Sequence, residues 1–370
     1  MLRIAILGFL MSSSLGFACS LCGGSLVDRP TLREQANQAQ AVILGTFKNA
    51  KADGDFGGTT EFHFDDGFAN IEALKGQTML VLPKYYPTVG KSQQFLMFFE
   101  IDGKKVDAIG GIPGGKPLLD HVQAVAKLPA KDGVARLGHY FKKLDSPDEA
   151  ISSDAFREFA KASDADLESA KGHYDAKKLR AWLRAKETPE ERLGVYSVML
   201  ALCGEVTDKD TFAVLLKEPL NERIAANLAG VLAANVLIDA EQGWAALRGF
   251  LGDRKRSFER RYAALQAIRF LQATRASDHR KSIAATYGEF CTDDDLGDLL
   301  IDDLRRWGWW DCTTEVLSAY AKAKSKLAKS TILRYALSSP NAECATFIAA
   351  TRKTEPDLVA KAEALLKLLK

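Results

Sequence analysis

Beyond its N-terminal end the chain has no long apolar run, so nothing in it reads as a membrane-spanning helix, which needs about 20 consecutive apolar residues. Charge of one sign is lacking too: 50 Lys and Arg face 48 Asp and Glu, for a net charge of +2. At the level of the whole chain this excludes an electrostatic footprint for nucleic acid or an anionic membrane. Cysteine is scarce, six residues in 370, at positions 19, 22, 203, 291, 312 and 344. That is too few for a disulfide scaffold and leads us to expect one bridge at most. His63, His121, His139, His173 and His279 stand apart, with no H-E-x-x-H, G-x-S-x-G or paired metal spacing. The sequence therefore implies no cofactor and no enzyme. An active centre would have to be assembled in space, and His63, His121 or His139 beside acids in one cleft would be its sign.

What is present starts with residues 1–18, expected to be a cleavable export signal: Arg3, an apolar stretch over 4–11, and the small-residue ending Gly16-Phe17-Ala18. Cleavage there makes Cys19 the first residue of a mature chain that is periplasmic or secreted. The remainder, in a chain 47% hydrophobic and 26% charged, is ordinary globular material with room for two domains or a domain and a repeat array.

Residues 41–109 carry six short β-like runs, at 41–47, 59–64, 68–74, 78–82, 94–101 and 105–109, broken by turn chemistry such as Asp65-Asp66-Gly67 and Lys75-Gly76. Asp102-Gly103 between apolar runs predicts a hairpin. From Pro117 the period changes to helical. Ser146-Pro147-Asp148-Glu149 and Thr188-Pro189-Glu190-Glu191 each predict a helix start, with a hydroxyl cap, a first-turn proline and an acid three residues after the cap. Leu193, Ile224, Tyr262, Leu296 and Ile332 begin comparable helices at spacings of 31, 38, 34 and 36 residues, with second helices at 240–251 and 310–322. A helix pair at this period suits a stacked array, because no single pair buries its apolar face alone.

On these spacings residues 146–370 resemble HEAT-like repeats. The N-terminal cysteine, the strand Ala39-Gln40-Ala41-Val42-Ile43-Leu44-Gly45-Thr46, and Ala73-Leu74-Lys75-Gly76 before the run at 78–82 resemble the bacterial relatives of the netrin module and of the tissue inhibitors of metalloproteinases, an OB-like barrel. The expected fold class is thus α+β multidomain: a small antiparallel OB-like β-barrel over 19–116, connecting helices over 117–145, and a HEAT-like α-solenoid over 146–370. The whole arrangement also resembles uncharacterised exported bacterial proteins, a likeness that supplies architecture and no activity.

Candidate sites follow. Cys19 and Cys22 form a C-x-x-C that a bridge, a redox dithiol or half a zinc site would use. The inhibitor resemblance implies instead that the free Cys19 amine chelates a target metallopeptidase's zinc, although those inhibitors carry C-x-C. Acylation of Cys19 would make a lipid anchor. Gly110-Gly111-Ile112-Pro113-Gly114-Gly115-Lys116-Pro117 nearly spells a phosphate loop, but Pro117 lacks the hydroxyl for Mg²⁺, so a glycine-rich linker is expected. Asp293, Asp294 and Asp295, with Asp298, Asp302 and Asp303, read as helix capping rather than Ca²⁺ ligation. The basic run at 254–256 with Arg260 and Arg261 reads as a solvated turn. Arg305, Arg306, Trp307, Trp309 and Trp310 would be a contact surface if exposed and an inter-repeat seam if buried. The function this implies is binding of a protein partner, with no nucleic acid; a metallopeptidase inhibitor or an undetected enzyme is the alternative.

Overall fold

The computed structural model describes residues 29–368 apart from 55–56, 70–73, 75, 87–92, 104, 130 and 218–226. The segment carrying the expected signal, Cys19 and Cys22 lies outside the described residues, as does Ile224. The chain forms two compact units, Met1–Tyr174 and Asp175–Lys370. Helices beyond Pro117 therefore belong partly with the sheet.

In the first unit α1 (Leu32–Gln38) opens on a capping box, in which Thr31 accepts from the Glu34 amide while the Glu34 carboxylate accepts from the Thr31 amide. Five strands follow, β1 (Ala41–Asp53), β2 (Gly57–Ala69), β3 (Met79–Leu82), β4 (Gln94–Asp102) and β5 (Lys105–Pro113), in one antiparallel sheet ordered β3-β2-β1-β4-β5. Over 41–45 the central strand is buried on both faces. Val42 and Leu44 join Leu96 and Phe98 against helix residues Leu32, Leu118, Leu119, Val122 and Ile151. Ala41 and Ile43 join Phe62, Leu82, Met97 and Phe99 on the other side. Side chains alternate across a strand, so β1 needs an unbroken apolar run here, and 41–44 supplies it.

Two expected strands prove to be one. β2 runs straight through Asp65-Asp66-Gly67, with Asp66 opposite Leu44 and a register shift between Leu44 and Gly45 absorbing the irregularity. A Cβ on Gly67 would sit 2.7 Å from the Val42 carbonyl, so this glycine permits close strand approach rather than a turn. The Asp102-Gly103 hairpin forms as expected, with Asp102 opposite Lys105 and Gly103 at φ +60°. The expected linker at 110–113 is instead the end of β5, paired with residues 95–98 of β4. Helices α2 (Lys116–Ala126), α3 (Gly133–Phe141), α4 (Glu149–Lys161) and α5 (Asp164–Ser169) complete the unit. Asp148, not Ser146, caps α4: its carboxylate accepts the Ala150 and Ile151 amides, while the Ser146 hydroxyl accepts the Asp148 amide.

The second unit is all helix in its described residues: α6 (Ala176–Arg184), α7 (Leu193–Cys203), α8 (Lys209–Leu215), α9 (Leu228–Ile238), α10 (Ala240–Gly252), α11 (Phe258–Phe290), α12 (Gly297–Trp307), α13 (Thr313–Ala319), α14 (Lys326–Ser338), α15 (Ala342–Thr354) and α16 (Pro356–Leu368). Leu193 starts a helix as expected, but Thr188 does not cap it. Its hydroxyl donates to the Trp182 carbonyl, and a 3₁₀ turn at Glu190–Arg192 leads in. The long α11 is two helices across a kink at Arg275 (φ −140°, ψ 36°). Packing runs α7 on α9, α9 on α10 and α11, α11 on α12, α12 on α14, and α14 on α15 and α16. Among the described residues no helix is long and apolar enough to cross a membrane.

Candidate functional site

Polar links join each helix pair of the second unit to the next at a recurring sequence distance. Arg180 binds Asp208 28 residues on, Lys209 binds Asp239 after 30, and Arg269 binds Asp303 after 34. Further along, Arg280 binds Asp311 after 31 and Tyr320 donates to Glu355 after 35. Arg261 is the most buried of the cations that make such links. It is 1% exposed, donates to the Leu251 carbonyl at 2.9 Å, and pairs with Asp293 at 2.6 Å and Asp295 at 2.7 Å. The solvated turn expected for the basic run thus holds only its first part, with Arg254 and Lys255 exposed and Arg261 in the core.

At the ends of these helices two clefts open and share Ala323, Lys324 and Ser325. The first, ≈ 340 Å³, has an apolar floor of Ile301, Ala319, Leu327, Ala328 and Ile332. Asp294, Asp295 and Asp298 line it together with Lys322 and Lys324. The second, ≈ 540 Å³, is lined by Lys326, Lys329, Lys361, Glu355 and Asp357. Lys324 bridges to Asp294 at 2.8 Å and holds its carboxyl below the usual range. Leu327 is 65% exposed at the cleft.

The expected aspartate cluster is occupied by cations and amides. Asp293 accepts the Asp295 and Leu296 amides as a cap does, and Asp302 pairs with Arg305, Arg306 and Arg334. Asp303 binds Arg269 at 2.7 Å and the Tyr287 hydroxyl at 3.2 Å; burial nevertheless pushes its carboxyl above the usual range, against both partners. Among the described residues no group of three His, Cys, Asp or Glu side chains is arranged to hold a metal. Trp307, Trp309 and Trp310 sit in the seam between helices, with Trp307 against Tyr287 and Trp309, and Trp310 against Tyr335. Of the five residues expected at a contact surface only Arg306 is exposed, and it pairs with Asp302.

A second concentration of polar groups is buried in the first unit. Asp154 and Glu158 lie one turn apart on α4. Asp154 accepts the Leu32 amide at 2.6 Å and lies 3.0 Å from Nε2 of His121. Glu158 accepts the Thr31 hydroxyl at 2.7 Å and pairs with Arg33 at 3.2 Å and Arg136 at 3.1 Å. The His139 ring lies 6.3 Å from that of His121, and Tyr140 is 5.9 and 5.7 Å from the two. His121 and His139 thus gather with acids as an enzyme would require, but the His121 side chain is 1% exposed, so no substrate reaches it. His63 is elsewhere, paired with Glu61 on β2. Sequence reading missed Asp154 and Glu158. Their signal was there: two acids at i,i+4 among Ile151, Ala155 and Phe159 on an apolar helix stripe.

Cys203, Cys291, Cys312 and Cys344 are free thiols. Burial pushes Cys203 and Cys291 up to about 11 and Cys312 to about 12. Such thiols are poor nucleophiles and metal ligands. No protein-family model matches the chain, and no curated protein does.

Proposed function

We propose that this is an exported, non-enzymatic protein that binds a protein partner through its helical unit, a HEAT-like solenoid, and that its N-terminal unit is an OB-like barrel of netrin type. The observation that carries the reading is the recurrence of inter-helix links at about one repeat length, such as Arg261 to Asp295 at 34 residues and Lys324 to Asp294 at 30. Successive hairpins that bury charge and apolar surface only against their neighbours are the physical definition of a solenoid, and solenoids expose long surfaces suited to protein ligands. The bulged pairing of β1 with β2 supports barrel-like curvature in the first unit. The paired clefts, lined by carboxylates, lysines and the exposed Leu327, offer an apolar contact among charges of both signs, which is the composition of a protein contact.

The test places a photo-crosslinking residue at Leu327, and as a control at Val206, which is 62% exposed. In the producing cell, position 327 is expected to yield a discrete cross-linked protein that position 206 does not, and Asp298→Lys with Lys322→Glu is expected to abolish it. Equal adducts from both positions, or none from 327 together with turnover in a hydrolase screen, would overturn the reading.

A further inference from the structure

The buried cluster in the first unit contains three polar atoms that find no partner: Nδ1 of His121, Nε2 of His139 and the Tyr140 hydroxyl. Buried polar groups are nearly always hydrogen-bonded, so three orphans on three mutually packed rings call for a physical reason. They sit beside the bonds that fasten α1. The Leu32 amide and the Thr31 hydroxyl end on Asp154 and Glu158, and Asp154 is also clamped by His121.

We propose that the His121–His139 ring pair is an acid-operated latch: protonation of His139 unfastens α1 from α4 while the sheet stays folded. The groups that face the pair come from every element packed on it. They are Arg33 and Glu34 of α1, His121 itself on α2, Arg136 and Tyr140 on α3 with Lys142 and Lys143 just beyond, Asp154, Glu158 and Lys161 on α4, Asp166 on α5, and His173, whose ring covers Gly138. Every carboxylate among them already has a cation or an amide. A proton on His139 would therefore put a new charge beside His121, Lys142 and Lys143 with no acceptor for its Nε2 hydrogen, a cost that opening relieves.

The sign follows from the same contacts. Burial first, then the neighbouring His121, Lys143 and Lys142, holds His139 below the ordinary 6.5. The closed form therefore binds fewer protons than the open one below that value, and closure weakens as pH falls through it. At pH 5 the closed-to-open ratio falls by at most about 30-fold. Glu34, although burial alone would raise it, is lowered by Lys161 and the Thr31 amide from 4.5, so its contribution is lost only in more acidic solution.

The experiment is amide hydrogen exchange on the full mature chain at pH 7 and pH 5, expressed as protection factors. At pH 5 the amides of Leu32, Glu34, Gln35 and Ala39 are expected to lose at least about fivefold protection, within the linkage limit of about 30-fold, while Val42 and Phe98 in the sheet keep theirs. His139→Phe, or His139→Gln if the first variant folds poorly, should flatten the response. Unchanged α1 protection, equal loss in the sheet, or an undiminished response in a folded His139 variant would each overturn the latch.

Discussion

Arg261→Met should destabilise the helical unit by about 3 kcal/mol, the lower end of what breaking a buried ion pair costs. The side chain is 2% exposed, and its removal strands the Leu251 carbonyl and the Asp293 carboxylate, itself only 5% exposed. Asp293 is not left bare. It keeps the Asp295 and Leu296 amides at 3.0 and 3.1 Å and has Arg254 at 3.5 Å, which is why the loss falls short of the maximum. Asp295 is 60% exposed and its share is negligible. Methionine retains most of the aliphatic stem, so no cavity term is added. Adding Asp293→Asn to Arg261→Met should return about 1 kcal/mol by removing the uncompensated charge. The assay is urea unfolding followed by tryptophan fluorescence, which reports the second unit alone because Trp182, Trp244, Trp307, Trp309 and Trp310 are the chain's five tryptophans. A loss under about 1 kcal/mol, or no recovery in the double variant, would refute the claim that this arginine is a buried tie between helices.

Two further outcomes are expected. Arg269→Ala should cost about 2–4 kcal/mol and Asp303→Asn under about 1.5, because the first leaves a buried carboxylate and the second only a neutral amide; the Asp303 carboxyl is already raised by burial, so the Arg269→Ala deficit in urea midpoint should shrink as pH falls toward 4. Cys203 is half-buried and its thiol is pushed to about 11, so at pH 8 its thiolate fraction is about 0.1% and its native-state alkylation should run about 100-fold slower than after unfolding; rapid labelling at Cys203 itself in the folded chain, read by peptide mass spectrometry, would contradict it.

Part of the helical unit was legible because its signal is local, although Tyr262 and Ile332, expected to enter helices, lie inside helices that begin at Phe258 and Lys326. Leu193 starts a helix, a second helix covers Ala240–Gly252 against the expected 240–251, and 310–322 resolves into α13 and the 3₁₀ turn Tyr320–Lys322. The caps were less legible. Ser146 and Thr188 carry the right chemistry, yet Asp148 outcompetes the first and a carbonyl of the preceding helix captures the second, choices made by packing rather than by the tetrapeptide. In the sheet, Asp65-Asp66-Gly67 looks like a turn from its residue types alone. Its pairing with β1 is a long-range fact that a glycine at close approach shares with a glycine in a bend. The polar cluster around Asp154 escaped for a related reason. Thr31 and Glu158 are 127 residues apart, and nothing local says that an acid on an apolar stripe has found a partner rather than a fault.

The two units bury charge in opposite manners, and the difference decides how each fails. In the helical unit ties such as Arg180 with Asp208 and Arg269 with Asp303 share no partner, so losing one leaves the other in place. In the first unit the bonds converge. Asp154 serves both the Leu32 amide and His121, and Glu158 serves Thr31, Arg33 and Arg136, so removing either acid disturbs donors on two elements at once. A network of that kind gives up its parts together rather than one by one, and a cooperative element is what a single protonation needs in order to move a whole helix instead of loosening one bond.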